Sequence, residues 1–85
     1  MTIYTIRITK FAQKQLDKLP DNIADRLIDG IYALSENPRP SGCKKLKGRV
    51  GYRIRVGDYR IIYEIFDSEL LVAVMAIGDR KDIYN

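Results

Sequence analysis

The chain has no histidine and a single cysteine, Cys43, among its 85 residues, and these shortages exclude much enzyme chemistry before any pattern is read. Without histidine there is no Ser-His or Cys-His nucleophile pair. One thiol cannot form an intramolecular disulfide, and a zinc site draws its ligands in groups of three or four. Carboxylates do not cluster as metal-assisted hydrolysis requires. No metal and no cofactor are therefore expected. The longest apolar run, Leu70 to Ile77, is eight residues, far short of the ~20 needed to span a bilayer. The first ten residues alternate apolar with polar and do not resemble a secretory leader. No repeat and no low-complexity segment is present. The expectation is one soluble, cytoplasmic domain over residues 1–85, with a reduced thiol and no membrane contact.

What is present is positive charge, unevenly placed. Residues 1–40 carry six basic and five acidic groups, residues 41–60 seven and one, and residues 61–85 two and five. Nearly all of the net +4 thus arises in one stretch of twenty residues. Clustered positive charge is the footprint of a phosphate-bearing partner, because each neutralised phosphate releases condensed counterions. A solvated basic loop beside an ordinary exposed strand accounts for the charge alone equally well.

Periodicity orders the elements. Thr2 to Ile8 is β-rich and predicts a strand. Thr9 is a candidate N-cap, and Phe11, Ala12, Leu16 and Leu19 keep helical spacing until Pro20, so Lys10 to Leu19 reads as a short helix. Asp21 is expected to cap a second helix, whose stripe of Ile23, Leu27, Ile31 and Leu34 ends at the Asn37-Pro38 turn signal. Arg39 to Gly51 has no clear period and reads as a loop. From Tyr52 the period becomes two, with Tyr52, Ile54 and Val56 on one face and Arg53 and Arg55 on the other. Gly57-Asp58 then forms a two-residue type II′ hairpin into Tyr59–Phe66. A turn at Asp67-Ser68-Glu69 leads to Leu70–Ile77, whose unbroken apolar character implies a central strand, and Gly78 ends it. The order β-α-α-β-β-β predicts an α+β fold, a four-stranded, largely antiparallel sheet with a helical hairpin packed on one face and the other face free.

Strand alternation sets Arg60 on the same face as Ile62 and Glu64, across the hairpin from Arg53 or Arg55. Like charges directly opposed on a sheet are unfavourable. Three guanidiniums converging there call for an anion, unless they splay into water. Arg80, Lys81 and Tyr84 follow the last strand and would reach the rim of the basic face, although a solubilising terminus fits their spacing equally. Such a set suits RNA cleavage. The ribose 2′-hydroxyl attacks its own phosphate, so the protein has only to orient the nucleotide, stabilise the added negative charge and move protons. Arginine grips phosphate with two hydrogen bonds. Tyrosine or lysine, which ordinarily ionise near ~10, would serve for protons if surrounding positive charge lowered their pKa.

Four segments in order carry a family resemblance: Lys45-Leu46-Lys47-Gly48, Tyr52-Arg53-Ile54-Arg55-Val56, Gly57 to Ile65, and Ile77-Gly78-Asp79-Arg80-Lys81-Asp82-Ile83-Tyr84. They resemble the hallmark segments of RelE toxins in the RelE/ParE superfamily, and with the element order the resemblance covers essentially the whole chain. It implies a ribosome-dependent, metal-independent mRNA interferase that cuts the codon in the ribosomal A site, partnered in a hetero-oligomer by a RelB-like antitoxin encoded by a neighbouring gene. By position, it assigns Arg60 to the scissile phosphate, Arg80 as its partner, and Tyr84 to orienting or activating the nucleotide. Arg53 and Arg55 would assist the transition state. Lys44, Lys45, Lys47, Arg49 and Lys81 would contact RNA of the ribosome. Many relatives carry histidine where this chain has Asp79, which removes a proton carrier and leaves the proton-transfer role unassigned. The ParE branch shares the fold but poisons DNA gyrase, and a basic RNA-binding module without activity is a third reading.

Overall fold

A computed structural model describes residues 3–79. Its elements run β1 (Thr5–Ile8), α1 (Lys10–Asp17), α2 (Asp21–Ala33), β2 (Lys44–Lys45), β3 (Tyr52–Val56), β4 (Tyr59–Phe66), a 3-10 turn (Asp67–Glu69) and β5 (Leu71–Asp79). The sheet has five strands in the order β1-β5-β4-β3-β2, not four. The additional strand is Lys44–Lys45, paired antiparallel with Arg53 and Tyr52 inside the segment expected to be a loop. Side-chain periodicity could not reveal it, because a ladder two residues long is made by backbone groups alone. β1 runs parallel to β5, and the other pairings are antiparallel.

Local chemistry explains most boundaries. The Thr9 side chain accepts from the Ala12 amide at 3.2 Å and caps α1 as expected. The helix ends at Asp17, two residues early, because Lys18 and Leu19 turn back to the carbonyls of Gln15 and Leu16 in a tightened last turn, and a residue before proline avoids helical geometry. Asp21 does not cap α2. Pro20 holds that position without a side-chain bond, and Asp21 lies inside the first turn, where a carboxylate still favours the positive end of the helix dipole. Gly57 has φ of +60° and Asp58 has no positive φ, as a type II′ hairpin requires. Leu70 takes φ of +50° at the end of the 3-10 turn, and β5 therefore starts one residue later than its apolar run.

The two helices cover one face. Ala12 and Leu16 from α1, and Leu27, Ile31 and Leu34 around α2, pack with Ile54, Ile61, Tyr63, Val72, Val74 and Ile77. Val74 and Ile77 both point into this core although their spacing is odd. The register explains it: Ile62 pairs with Ala76 and Tyr63 with Val74, so Met75 is an extra residue and β5 is bulged there. A bulge inserts one unpaired residue and switches the facing of everything after it.

Gly51 anchors the turn between β2 and β3. Its φ is +128°, and an added Cβ would lie 3.1 Å from the Tyr63 carbonyl oxygen and 3.2 Å from Leu46 Cδ1. Gly51→Ala is therefore expected to lower unfolding free energy by about 1–3 kcal/mol, the cost of a residue forced into such a conformation. Urea denaturation checks this, and an unchanged midpoint would mean that the loop relaxes freely.

Candidate nucleic-acid interface

On the face away from the helices, the ladder sets positive charge against positive charge. Arg55 is directly opposite Arg60, and Lys44 is directly opposite Arg53, while Arg53 itself faces Ile62. Lys44, Arg53, Arg55 and Arg60, with Gly42 and Ile54, line one open depression. The Arg55 guanidinium is oriented by its Nε donating to the Gly57 carbonyl at 3.0 Å. Arg60 is the surprise. It is only 9% exposed, whereas alternation alone implied a freely solvated strand arginine. The Arg60 side chain lies in the floor of the depression, flanked by solvent-reaching Arg55 and Lys44.

The other anticipated residues divide. Lys45 pairs with Tyr52, so alternation sends it to the face opposite Lys44. Lys47 and Arg49 are exposed on the turn that the Leu46 amide closes onto the Gly51 carbonyl at 2.9 Å, outside the depression. Arg80, Lys81 and Tyr84 lie outside the described residues. Asp79 ends β5 across from Tyr59, while Gly78 is the residue across from Arg60, so the acid alternates away from the arginines. No helix among the described residues is long and apolar enough to cross a membrane.

The sequence reading missed a polar network at the far end of the sheet. Arg39 donates to both carboxylate oxygens of Asp67, at 3.3 and 2.9 Å, and its guanidinium lies 5.3 Å from the centre of the Tyr52 ring. Tyr4 donates to Asp67 at 2.6 Å. The buried Tyr63 hydroxyl donates to the Pro38 carbonyl at 2.7 Å, and its ring stacks near that of Tyr52. Burial, and then its contact with Cys43, pushes the Tyr63 hydroxyl above the ordinary tyrosine range. Together these bonds pin the connection between α2 and β2, which delivers Gly42 and Lys44 to the depression. Partners up to 63 residues apart leave no local signal in a sequence.

The hydrogen bonds from Arg39, and next from Tyr4, hold the Asp67 carboxyl below the usual carboxylate value. A lowered folded pKa contributes stability above the unfolded value of about 3.9 and loses it as pH falls through the folded value. Below about pH 4, thermal midpoints of Asp67→Asn should accordingly fall less steeply than those of the native chain. Parallel slopes would show that the exposed pair contributes nothing, as many surface pairs do.

Two helices on one face of a five-stranded mixed sheet, with arginines converging on the other, define a small α+β protein with one basic face. The chain belongs to the family described as the ParE toxin of type II toxin-antitoxin system, parDE, whose model matches residues 6–84, and within the RelE/ParE superfamily it is a RelE-type toxin. Toxin RelG of Mycobacterium tuberculosis is 32% identical over 83 aligned positions, 95% of each chain. The mRNA interferase toxin RelE of Escherichia coli is 25% identical over 87 aligned positions, covering 96% of this chain and 90% of that one. Among solved structures, the toxin-antitoxin complex RelBE2 of M. tuberculosis superposes with a TM-score of 0.85 at 30% identity, over 96% of this chain and 97% of that one.

Proposed function

We propose that this toxin is a ribosome-dependent endoribonuclease that cuts mRNA in the ribosomal A site, without a metal, and is silenced by a cognate antitoxin. The observation that carries the reading is the convergence of Arg53, Arg55 and Arg60 with Lys44 on one depression. The E. coli relative's name, mRNA interferase, supports the same chemistry. In the reaction, the ribose 2′-oxygen bonds to the adjacent phosphorus, the 5′-oxygen of the next nucleotide leaves, and a proton passes from the first oxygen to the second. Arg60 holds the phosphate oxygens where charge builds up. Arg53 and Arg55 add to that field, and the roles proposed for Arg80 and Tyr84, which follow β5 in the sequence, are to assist Arg60 at the phosphate and to orient the nucleotide. Lys44, Lys45, Lys47, Arg49 and Lys81 dock the protein on RNA through phosphates. The antitoxin partner is supported by the solved neighbour, which is a toxin-antitoxin complex. Positive charge on the sheet face away from the helices suits acidic and apolar groups of such a partner.

The test is in vitro translation followed by primer extension on the message. Discrete breaks at codons under translation are expected. A second reading, gyrase poisoning, is favoured by the family's own description as ParE. Intact messages with accumulating gyrase-linked DNA breaks would establish it instead.

A further inference from the structure

The bulge at Met75 has a consequence for Arg60. In an unbulged register, continuing from Tyr63↔Val74, Arg60 would face Ile77 and Tyr59 would face Gly78. In the register observed, Arg60 faces Gly78, and Ile77 turns into the core with 1% exposure. The arginine thus has Arg55 as its ladder partner on one side and Gly78 on the other. An isoleucine in place of Gly78 would put a branched apolar group on the anion-binding face, beside the guanidinium.

A bulged strand needs partners for the backbone groups it displaces. β1 cannot supply them, because its pairing with β5 ends at Ile8↔Val74. Thr9 at the β1–α1 junction and Gln15 in α1 do so. Thr9 donates its amide to the Val74 carbonyl at 3.1 Å and its hydroxyl to the Met75 carbonyl at 3.3 Å. Gln15, one turn into α1, accepts from the Ile77 amide at 2.6 Å in a partly buried position. The helix therefore takes over the ladder where the neighbouring strand stops.

We propose that Gln15 is a positioning residue for the anion-binding depression: its side-chain oxygen, by accepting the Ile77 amide hydrogen, holds β5 in the bulged register that sets Gly78 opposite Arg60. The role is distinct from the contacts assigned to phosphate above, and it rests on the proposed function only in taking the depression as an anion site.

Two variants test it. Gln15→Leu keeps the bulk and removes the acceptor, whereas Gln15→Glu retains an acceptor oxygen. The first readout, independent of cleavage, is affinity for a short single-stranded DNA oligonucleotide, which carries phosphates but no 2′-hydroxyl to react. Gln15→Leu should weaken binding ~10-fold, the factor that one buried hydrogen bond is worth. It should also speed exchange of the Ile77 amide, and Gln15→Glu should restore most of both. Arg60→Ala should have little further effect on binding in the Gln15→Leu background, because both changes act on one group. Should Gln15→Leu fail to fold, Gly78→Val tests the same point without touching the bulge, by placing a branched side chain across from Arg60, and it too should weaken binding. The proposal is overturned if folded Gln15→Leu or Gly78→Val binds as the native chain does, or if Arg60→Ala keeps its full effect beside Gln15→Leu. Native protein that binds the oligonucleotide but cuts no ribosome-held message would sink the proposed nuclease, and the binding comparison would still decide the role of Gln15.

Discussion

Purified protein is expected to cut an mRNA codon held in a programmed ribosome at least about 10³-fold faster than the same message free in solution, since positioning can supply effective molarities far above this. The expectation follows from what the chain contains. With no histidine, protons must move through residue types that ordinarily ionise several units from neutrality, which makes general acid-base help weak. The depression offers fixed positive charge but, among the described residues, stands open to solvent. Holding the 2′-oxygen in line with its phosphate is worth up to ~7–11 kcal/mol in favourable cases, and a codon bound in the decoding site is already confined. Exposed Lys44, Lys47 and Arg49 would dock the protein on ribosomal RNA, so cleavage should also fall steeply as salt rises. The comparison is single-turnover cleavage of one message in the two states. Equal rates would show a self-sufficient active site and end the positioning argument.

Arg60→Ala should slow cleavage on the ribosome by about 10²–10³-fold, the usual loss when one preorganised donor to the transition state is removed. Arg60→Lys keeps the charge but not the planar fork, and should recover only part of the rate. Burial makes the control matter. At 9% exposure the side chain is not the dispensable surface group that alternation suggested. Its truncation removes packing along the stem, while relieving the opposition to Arg55 that a sheet ordinarily disfavours. Rates should therefore be taken per folded molecule, with thermal midpoint and antitoxin binding measured alongside. A folded Arg60→Ala protein that cuts at the native rate would remove Arg60 from the mechanism.

Much of the scaffold was legible because its signals are local. Alternation from Tyr52 onward located β3 and β4 residue for residue, since one buried face imposes a period of two over the whole strand. The Gly57-Asp58 hairpin and the Thr9 cap were readable for the same reason: each is decided by the chemistry of two to four adjacent residues. The charge imbalance marked residues 41–60, and the tertiary structure brings four of their seven cations to one depression.

What the sequence could not decide depends on distant partners. β2 is held by backbone pairing with β3, and carries no side-chain signature. The network around Arg39 joins residues that meet only once the sheet is assembled. The facing of the end of β5 hinged on one unpaired residue, Met75, and an apolar run such as Leu70–Ile77 gives no clue where its phase will switch, because every residue in it can be buried on either side. Thus the sequence by itself determined the two helices, the four longer strands, their order and the sign of the charge on the face away from the helices. Only tertiary structure decided that Arg60 would be sunk opposite Arg55 with a glycine beside it, because that environment is set by strand register, and register is a property of pairs of strands that no single strand contains.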